Sequence, residues 1–211
     1  MASAIAHPPS NAAWQLPGLN AVSVRRVDAD DVPMIDAFVQ ALSPASRQRR
    51  FHAGVRALPS EWLDRMTHPD RQRELALLAT VVVNGRELCI GEARYVLSDD
   101  VMPGREFALA VVDGWQGRGI GKALLHGLGC HAQRHGVERL VGDMLRDNLP
   151  MIELARALGY VVKRHPADAR LLRAERLLQG VHAIDDAACA ASTWPSPGRV
   201  LDLVATPAGF I

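Results

Sequence analysis

The apolar residues of this chain alternate between two spacings, one typical of strands and one typical of helices. Two runs rich in β-branched and aliphatic residues, 75–83 and 88–96, flank the dipeptide Asn84-Gly85. Asn-Gly between two such runs is a strong signal for a β-hairpin. Shorter apolar or alternating runs predict further strands at 22–27, 106–112, 140–145 and 160–165.

Between these strands, apolar residues recur at helical spacing behind recognisable start signals. Ser43-Pro44 starts a short helix, because Ser caps a helix N-terminus and Pro fits its first turn. Other helices are predicted behind Asp28 or Asp30 as far as Leu42, from Pro59, over 119–135 and over 148–158. A chain of 211 residues fits one domain with tails.

The segment 116–125, Gln-Gly-Arg-Gly-Ile-Gly-Lys-Ala-Leu-Leu, carries the strongest indication of function. Its alternate glycines follow a predicted strand and open the longest predicted helix. Glycine lets the backbone turn sharply and approach a ligand closely. The amides of such a turn form an anion-binding nest, and the helix N-terminus adds free N–H groups and a partial positive charge. The pattern therefore predicts a phosphate or diphosphate site.

Two familiar phosphate-binding motifs do not match this turn. A Walker A loop has Ser or Thr after Gly-Lys, whereas Ala123 follows Gly121-Lys122. A dinucleotide fingerprint reads Gly-x-Gly-x-x-Gly, whereas the glycines here simply alternate. A glycine-rich turn without a ligand and an unrelated nucleotide-phosphate binder stay open as alternatives.

The full string is more specific than its glycines. Gln116-x-x-Gly119-x-Gly121 after a strand resembles motif A of the GNAT superfamily of acetyl-CoA-dependent N-acetyltransferases. The segment 148–160, Asn-Leu-Pro-Met-Ile-Glu-Leu-Ala-Arg-Ala-Leu-Gly-Tyr, resembles motif B of that family. The resemblance spans about 22–178. The segments 42–51, 70–78 and 106–112 further resemble the GNAT domain of bacterial protein lysine acetyltransferases.

This resemblance implies an α/β (α+β) fold. Its mixed, mostly antiparallel sheet would have six to seven strands, splayed at the cofactor site and flanked by about four helices. The domain would span 21–184, after a flexible tail at 1–20 and before an extension at 185–211. Residues 171–178 favour a helix by propensity, but the resemblance makes them the last strand, because tertiary context overrides propensity.

The resemblance also implies acetyl-CoA as the cofactor, with coenzyme A as product. The glycine turn would hold the diphosphate, and Arg118 or Lys122 would add charge. The strand end would present backbone groups to the pantetheine arm, and Asn148 would be a polar group at the site or a helix cap. The expected cofactor-binding residues are Ala110, Val111, Val112, Gln116, Gly117, Arg118, Gly119, Ile120, Gly121, Lys122 and Asn148.

Glu106 is the expected general base, because in the similar lysine acetyltransferases a Glu at this position deprotonates the amine. An ordinary exposed carboxylate is the alternative; Glu74 and Glu92 are weaker candidates, and alternation would point Glu92 outward. Many GNAT enzymes carry a Tyr acid in the motif B helix, where this chain has Ala155. Tyr160 is expected to pack, and Tyr95 is a remote substitute for that acid.

Three further groups of polar residues have ordinary explanations. His131 and His135 share a helix face, but spacing supplies no third ligand, so we expect no metal site. Cys130 is expected to pack as a small apolar residue. The basic cluster 47–50 is either a solvated helix face or part of the acceptor site, where the early helices of GNAT proteins lie.

The composition of the chain argues against nucleic acid and membranes as partners. The chain has 24 basic and 23 acidic residues and a formal net charge of +1, so no global field attracts nucleic acid or membrane. No apolar window is long enough for a membrane span, and the N-terminus lacks the features of a secretory signal. Three widely spaced cysteines favour a reducing cytoplasm over a disulfide scaffold.

The sequence thus predicts a cytoplasmic N-acetyltransferase that acts on a primary amine. The wider resemblance favours protein lysine over a small amine. The extension would either complete a homodimer or cover the acceptor groove, and the sequence leaves both alternatives open. A non-catalytic acyl-CoA-binding regulatory module is the alternative, because the tyrosine acid is missing.

Overall fold

The computed structural model describes residues 14–16, 19–70, 73–97, 104–178 and 184, with backbone alone for 14–16 and 19–21. Within these residues an eight-stranded sheet has the order β1-β2-β3-β4-β5-β6-β8-β7. The strands are β1 Trp14–Leu16, β2 Leu19–Arg26, β3 Leu75–Val83, β4 Arg86–Val96, β5 Arg105–Val111, β6 Arg139–Leu145, β7 Val161–Arg164 and β8 Leu171–Leu177. The helices are α1 Val32–Ala41, α2 Pro44–Phe51, α3 Ser60–Thr67, α4 Ile120–Arg134 and α5 Leu149–Ala157.

The predicted fold class is confirmed, but the described part of the sheet has eight strands rather than six to seven, because β1 extends its edge, and five helices flank it rather than about four. Every pair of neighbouring strands is antiparallel except β5 and β6, which are parallel. The segment with the conflicting signals is strand β8, which pairs with β6 on one side and β7 on the other. Antiparallel neighbours on both sides therefore outweigh its helix propensity.

Local signals placed most of the turns correctly. Asn84 and Gly85 join β3 to β4 with φ angles of 50° and 75°, the left-handed pair that a tight hairpin turn requires. Ser43 caps α2 by accepting a hydrogen bond from the Ser46 amide. The cap of α1 is more elaborate than predicted, because Asp28 and Asp31 form a capping box around a short 3-10 turn.

Two apolar clusters cover the two faces of the sheet. The larger joins the sheet to α4 and α5 and includes Leu124, Leu128 and Ile152. The smaller joins it to α1 and α3 and includes Ile35, Phe38 and Met66. The site elements α2 and α5 therefore rest on different faces of one sheet.

The sheet opens between its two parallel strands. Pairing between β5 and β6 is recorded only at Arg105 with Leu140 and at Glu106 with Val141. Beyond that point β5 continues to Val111 and β6 to Leu145, each paired on its outer side alone. The predicted splay is therefore present, and it begins at Glu106.

The chain termini fit the predicted boundaries only in part. Strand β1 lies inside the segment expected to be a loose tail. At the other end, Ile184 is buried, and its backbone N–H and C=O both bond the side-chain amide of Gln133 on α4. The rest of the predicted extension lies outside the described residues, so the domain limits stay a prediction.

Two of the three cysteines lie among the described residues, and both are buried. Cys89 is a free thiol. Cys130 is buried on α4, as a packing residue would be. No helix in the described part of the chain is long and apolar enough to cross a bilayer. The cytoplasmic location stays a prediction.

Candidate active site

The glycine-rich turn adopts a backbone conformation that is unfavourable for residues with a side chain. Gly117 and Gly119 have φ angles of 73° and 85°. Both lie in the left-handed region, where any other residue except Asn or Asp is strained. Gly119 is the N-cap of α4, and no side chain caps that helix. The motif glycines are therefore required by backbone conformation.

The amides of this turn are available to a ligand. The Gln116 amide donates to the Asp113 carbonyl, and the Ala123 amide donates to the Gly119 carbonyl. Between them, within the described residues, no acceptor is recorded for the amides of 117–122. Unsatisfied donors at a helix N-terminus form an anion site. Gln116 itself does not contribute its amide, contrary to expectation.

A cavity of about 460 Å³ opens beside this turn. Eight of the predicted cofactor-binding residues line it: Ala110, Val111, Gln116, Gly117, Gly119, Gly121, Lys122 and Asn148. Its other walls include Leu109 on β5 and Met151 and Leu154 on α5. The cavity thus runs from the glycine turn into the gap between β5 and α5.

Three predicted cofactor-binding residues do not line this cavity. The Val112 side chain is buried, and its amide donates to the Ile90 carbonyl in the sheet. Ile120 is 1% exposed and packs in the core. Arg118 places its guanidinium 5.0 Å from the centre of the Trp115 ring. Lys122 is therefore the predicted cation that reaches the cavity.

The alternation of hydrogen bonds along β5 decides which backbone groups face the gap. Because the Val112 amide bonds Ile90 in β4, the even-numbered residues of β5 direct their N–H and C=O groups toward β4. Leu109 and Val111 direct theirs toward the opening. Ala110 therefore offers the cavity only its side chain, and Leu109 is a site residue that the sequence did not reveal.

Gln116 ties the cofactor side to the opposite wall. Its side-chain amide donates to the Val111 carbonyl at 2.9 Å and to the Ser46 hydroxyl at 3.4 Å. Ser46 in turn donates to Asp113, which also accepts from the amide and hydroxyl of Ser43. These bonds keep the pKa of Asp113 below its ordinary value, although burial acts in the opposite direction. Helix α2 is thus fixed to the glycine turn.

Asn148 lies at the boundary between two cavities. Its backbone carbonyl accepts from the amides of Met151 and Ile152 at the start of α5. Its side chain makes no capping hydrogen bond. The side chain lines both the larger cavity and a second one of about 200 Å³. Asn148 therefore begins the helix through its backbone carbonyl, and its side-chain amide can contact a ligand in the site.

The second cavity contains Glu106. It shares with the first cavity a wall that consists of Arg49, Arg50, Leu109, Asn148 and Met151. Within the described residues, no hydrogen bond or ion pair is recorded for the half-buried Glu106 carboxylate. The weaker candidate Glu74 lines neither cavity.

A second carboxylate in this cavity is already paired. Asp143 on β6 accepts two 2.8 Å hydrogen bonds from Arg173 and lies 3.1 Å from the His165 imidazole. Both carboxylate oxygens of Asp143 are therefore engaged by the Arg173 guanidinium. Of the two carboxylates that line this cavity, Glu106 is the one with no hydrogen-bond or ion-pair partner among the described residues.

His52 is a site residue that the sequence analysis missed. It ends α2 in the left-handed region, with φ 53°, and lines the second cavity. Burial lowers the pKa of His52, and the Arg50 charge lowers it further against the opposing effects of Asp143 and Glu106. The imidazole is therefore neutral at pH 7.

The basic cluster on α2 belongs to the site. Arg49 and Arg50 line both cavities, whereas Arg47 donates to the Arg56 carbonyl. Arg50 forms a 3.1 Å ion pair with Glu92.

The expectation that Glu92 points outward is wrong, because Glu92 is 0% exposed and also pairs with Arg94. Burial favours the neutral acid, but the two arginines outweigh it and lower the pKa of Glu92.

Neither of the two tyrosines in the chain lines either cavity. The Tyr95 hydroxyl lies 2.8 Å from the His131 imidazole, and burial raises the pKa of Tyr95 to about 12. Tyr160 is buried against Phe107, as expected of a packing residue. Ala155 is fully buried. Tyr95 is therefore not the substitute acid.

His131 on α4 and His135 at the C-terminal cap of that helix form a stacked pair. His131 and His135 stack with ring centres 3.9 Å apart. Burial, with the charges of His135 and Arg26, lowers the pKa of His131 to about 3. In the described part of the chain no group of three His, Cys, Asp or Glu is placed to hold a metal.

The geometry of the site indicates the general class of protein before any comparison with known proteins is made. An anion-binding turn, a splayed sheet and two adjoining cavities, one of which contains a carboxylate with no partner among the described residues, are the features expected of an enzyme that binds an acyl thioester beside an acceptor. The comparisons with known proteins identify the family. The Acetyltransferase (GNAT) family profile matches residues 37–160, and the chain belongs to that family.

Individual relatives agree with the family match. The chain is 30% identical over 149 residues to Acetyltransferase PA5475 of Pseudomonas aeruginosa, which covers 70% of this chain and 79% of the relative. The GNAT domain of S. lividans PAT superposes with a TM-score of 0.71 and 27% identity, over 82% of this chain and all of that one. The chain is therefore an N-acetyltransferase, and GNAT acetyltransferases use acetyl-CoA.

More distant structures share the fold. The ribosomal L7/L12 alpha-N-protein acetyltransferase RimL, solved with coenzyme A, has a TM-score of 0.60 at 16% identity, with 80% of this chain and 98% of that chain covered. The cAMP-binding acyltransferase of Mycobacterium smegmatis has a TM-score of 0.54 at 24% identity, with 85% of this chain and 51% of that chain covered.

Proposed function

We propose that this enzyme acetylates lysine side chains of proteins, with Glu106 as the general base. The observation that supports this most is the Glu106 carboxylate, which has no partner among the described residues and lies in a cavity that adjoins the cavity beside the glycine turn. A general base must reach the amine and must be free to take its proton.

The residues of the larger cavity fit the cofactor. The amides of 117–122 would hold the diphosphate, with Lys122 as a countercharge. Leu109 and Val111 would offer backbone groups to the pantetheine arm along the open side of β5. Bound acetyl-CoA supplies an acetyl group activated as a thioester.

The chain's own residues then account for proton transfer and polarisation. Glu106 takes the proton of the attacking amine, directly or through a water molecule. A backbone N–H of β5 that faces the opening stabilises negative charge on the carbonyl oxygen, as oxyanion holes do. Asn148 adds a side-chain amide between the two cavities.

The acceptor cavity fits an aliphatic amine. Its volume of about 200 Å³ is small, and its walls include Phe51, Trp62, Met144 and Met151 beside Glu106. Trp62 is 52% exposed at the surface, where it would contact a protein around the lysine. A lysine side chain has an apolar stem and a terminal amine, so apolar walls next to a carboxylate match its two parts.

The test is transfer of labelled acetyl groups to two kinds of acceptor. Lysine-containing proteins and peptides are compared with polyamines, free amino acids and an aminoglycoside at equal amine concentration. We expect kcat/KM for the best lysine peptide to exceed that for every small amine by at least about tenfold, because the surface around Trp62 adds contacts. Equal or better turnover of a small amine would contradict the protein-lysine assignment, and transfer to no amine would contradict the activity.

A further inference from the structure

Arg50 lies at the boundary between the two cavities and is held there from beneath the surface. Its guanidinium donates to Glu92 at 3.1 Å, and its side chain is 11% exposed. Glu92 lies on β4 directly opposite Ala110 of β5. The same carboxylate pairs with Arg94, which also donates to the Met66 carbonyl at 3.0 Å. The Arg50 guanidinium is therefore held in place by Glu92, which lies on the sheet beneath helix α2.

This network carries an unbalanced charge. One fully buried carboxylate faces two guanidinium groups that are 10% and 11% exposed, so one positive charge is not neutralised within it. Buried ion pairs contribute little to stability, because desolvation offsets their attraction. An excess positive charge that lines two substrate cavities therefore indicates an anionic partner.

The other charged and titratable groups that line the cavities do not remove this excess. They are Arg49 and His52 on or next to α2, Glu106 on β5, Lys122 on α4, Asp143 on β6 and Glu153 on α5. Asp143 is paired with Arg173, and Glu106 is needed to accept the proton of the amine. Arg49 and Arg50 both line the two cavities, and the ion pair with Glu92 fixes the position of Arg50.

Acyl transfer from a thioester produces an anion that requires stabilisation. When an amine attacks a thioester, the C–N bond forms and the carbonyl π electrons move to oxygen. Their return breaks the C–S bond, and the electron pair leaves on sulfur. Neither tyrosine lines a cavity, so no phenol protonates that sulfur. A guanidinium stabilises an anion without transferring a proton, since it stays charged at all working pH values.

We propose that Arg50, positioned by Glu92, stabilises the anionic sulfur of coenzyme A as the thioester breaks. This inference rests on the proposed function. The proton removed from the amine by Glu106 is later returned to the thiolate or to water, so atoms and charge balance. Arg50 is the catalytic residue here, and Glu92 is a positioning residue that touches no substrate.

The test measures binding rather than turnover. A free cysteine thiol has a pKa of about 8.5, and a neighbouring arginine lowers the pKa of a thiol. Bound coenzyme A would then carry its thiolate at lower pH than free coenzyme A, so its affinity would rise with pH. Desulfo-coenzyme A lacks the thiol, so the ratio of the two affinities isolates this effect from every other titrating group.

We expect this ratio, measured by calorimetry at pH 6.0 and 9.5, to rise close to tenfold for wild type, as a shift of about one pKa unit requires. Arg50→Gln and Arg50→Met should abolish the rise, and Arg50→Lys should retain part of it. Glu92→Gln should reduce the rise without changing desulfo-coenzyme A affinity. Arg65→Gln on exposed α3 is the matched control and should behave as wild type. Melting temperatures identify any variant that fails to fold, and two charge-free variants of Arg50 keep the test decisive.

The outcomes separate this inference from the proposed function. An equal rise in wild type and in the charge-free variants, or no rise in wild type, overturns the role of Arg50. Failure of wild type to bind either ligand overturns the proposed function as well. As a kinetic readout, Arg50→Gln should lower kcat by roughly tenfold to a hundredfold with the acceptor KM unchanged.

Discussion

The two sides of this active site are built from different parts of the chain. The proposed cofactor side depends mainly on backbone groups, the amides of 117–122 and the open edge of β5, with Lys122 and Arg50 as charged side chains on its wall. The proposed acceptor side consists of side chains from α2, α3, β5 and β6, among them Trp62 and Glu106. The difference implies that backbone conformation matters most on the cofactor side, whereas side-chain identity matters most on the acceptor side.

The largest expected effect tests the acceptor side. Glu106→Gln keeps shape and removes the proton acceptor, so kcat should fall by roughly 10²- to 10⁴-fold while coenzyme A affinity stays the same. Steady-state kinetics and calorimetry measure the two quantities. Glu74→Gln is the matched control, because Glu74 lines neither cavity. Unchanged turnover of the Glu106 variant would remove this residue from the mechanism.

The next effect tests the cofactor side with a pair of equivalent glycines. Gly119 and Gly85 have φ angles of 85° and 75°, and a Cβ on either meets no protein atom within 4 Å. Replacing either with Val should cost about 1–3 kcal/mol of backbone strain. Only Gly119→Val should also weaken coenzyme A binding, by about tenfold or more, because its strain reshapes the anion turn.

Thermal unfolding and calorimetry on both variants distinguish the two contributions. Equal loss of coenzyme A affinity in the Gly85 and Gly119 variants would show that general destabilisation, rather than the turn, controls binding.

A third region should respond to pH without affecting either side of the site. Burial lowers the pKa of His131 to about 3, below its value of about 6.5 in an unfolded chain. The unfolded state therefore binds the extra proton between these values, and stability falls as pH falls from about 6.5 toward 3. The slope should approach about 1 kcal/mol per pH unit.

Denaturant unfolding at several pH values measures this slope. The His131→Gln variant should lose that part of the pH dependence, and its turnover at pH 7.5 should match that of wild type. An unchanged slope in the variant would assign the acid sensitivity to other groups.

The smallest expected effect concerns acceptor recognition. Trp62→Ala should raise the KM for a lysine peptide about fivefold, since about 1 kcal/mol of aromatic contact is lost at a half-exposed position. The KM for acetyl-CoA should stay unchanged, because Trp62 does not line the larger cavity. Glu61→Ala, the exposed neighbour on α3, is the control. An increase in both KM values would show that the two sides are not independent.

The same comparison explains what the sequence predicts and what it leaves out. A backbone site depends on glycines at fixed spacing, so the turn at 117–121 could be located from the motif. The strand at 171–177 could be assigned only through family resemblance, because its own propensity favours a helix. The charge that Arg118 was expected to add could not be placed from the sequence, because spacing does not show that its guanidinium stacks on Trp115.

Side-chain sites depend on contacts between distant segments. Arg50 and Glu92 lie far apart in the chain, and their pairing across the face of the sheet leaves no local pattern. Alternation along β4 would place Glu92 in solvent only if one face of the sheet were exposed. Here α1, α2 and α3 cover the face that carries Glu92. His52 and Asp143 reach the cavity from the end of α2 and from β6, which only the folded chain brings together.

The central claim is that the amides of 117–122 bind the diphosphate of coenzyme A. Amide ¹H–¹⁵N chemical shifts recorded while coenzyme A is added test it directly, because a hydrogen bond to a phosphate oxygen moves an amide proton downfield. The account predicts large downfield shifts for these amides and little change at the Asn84-Gly85 turn. Shifts elsewhere in the sheet with these amides unmoved would contradict it.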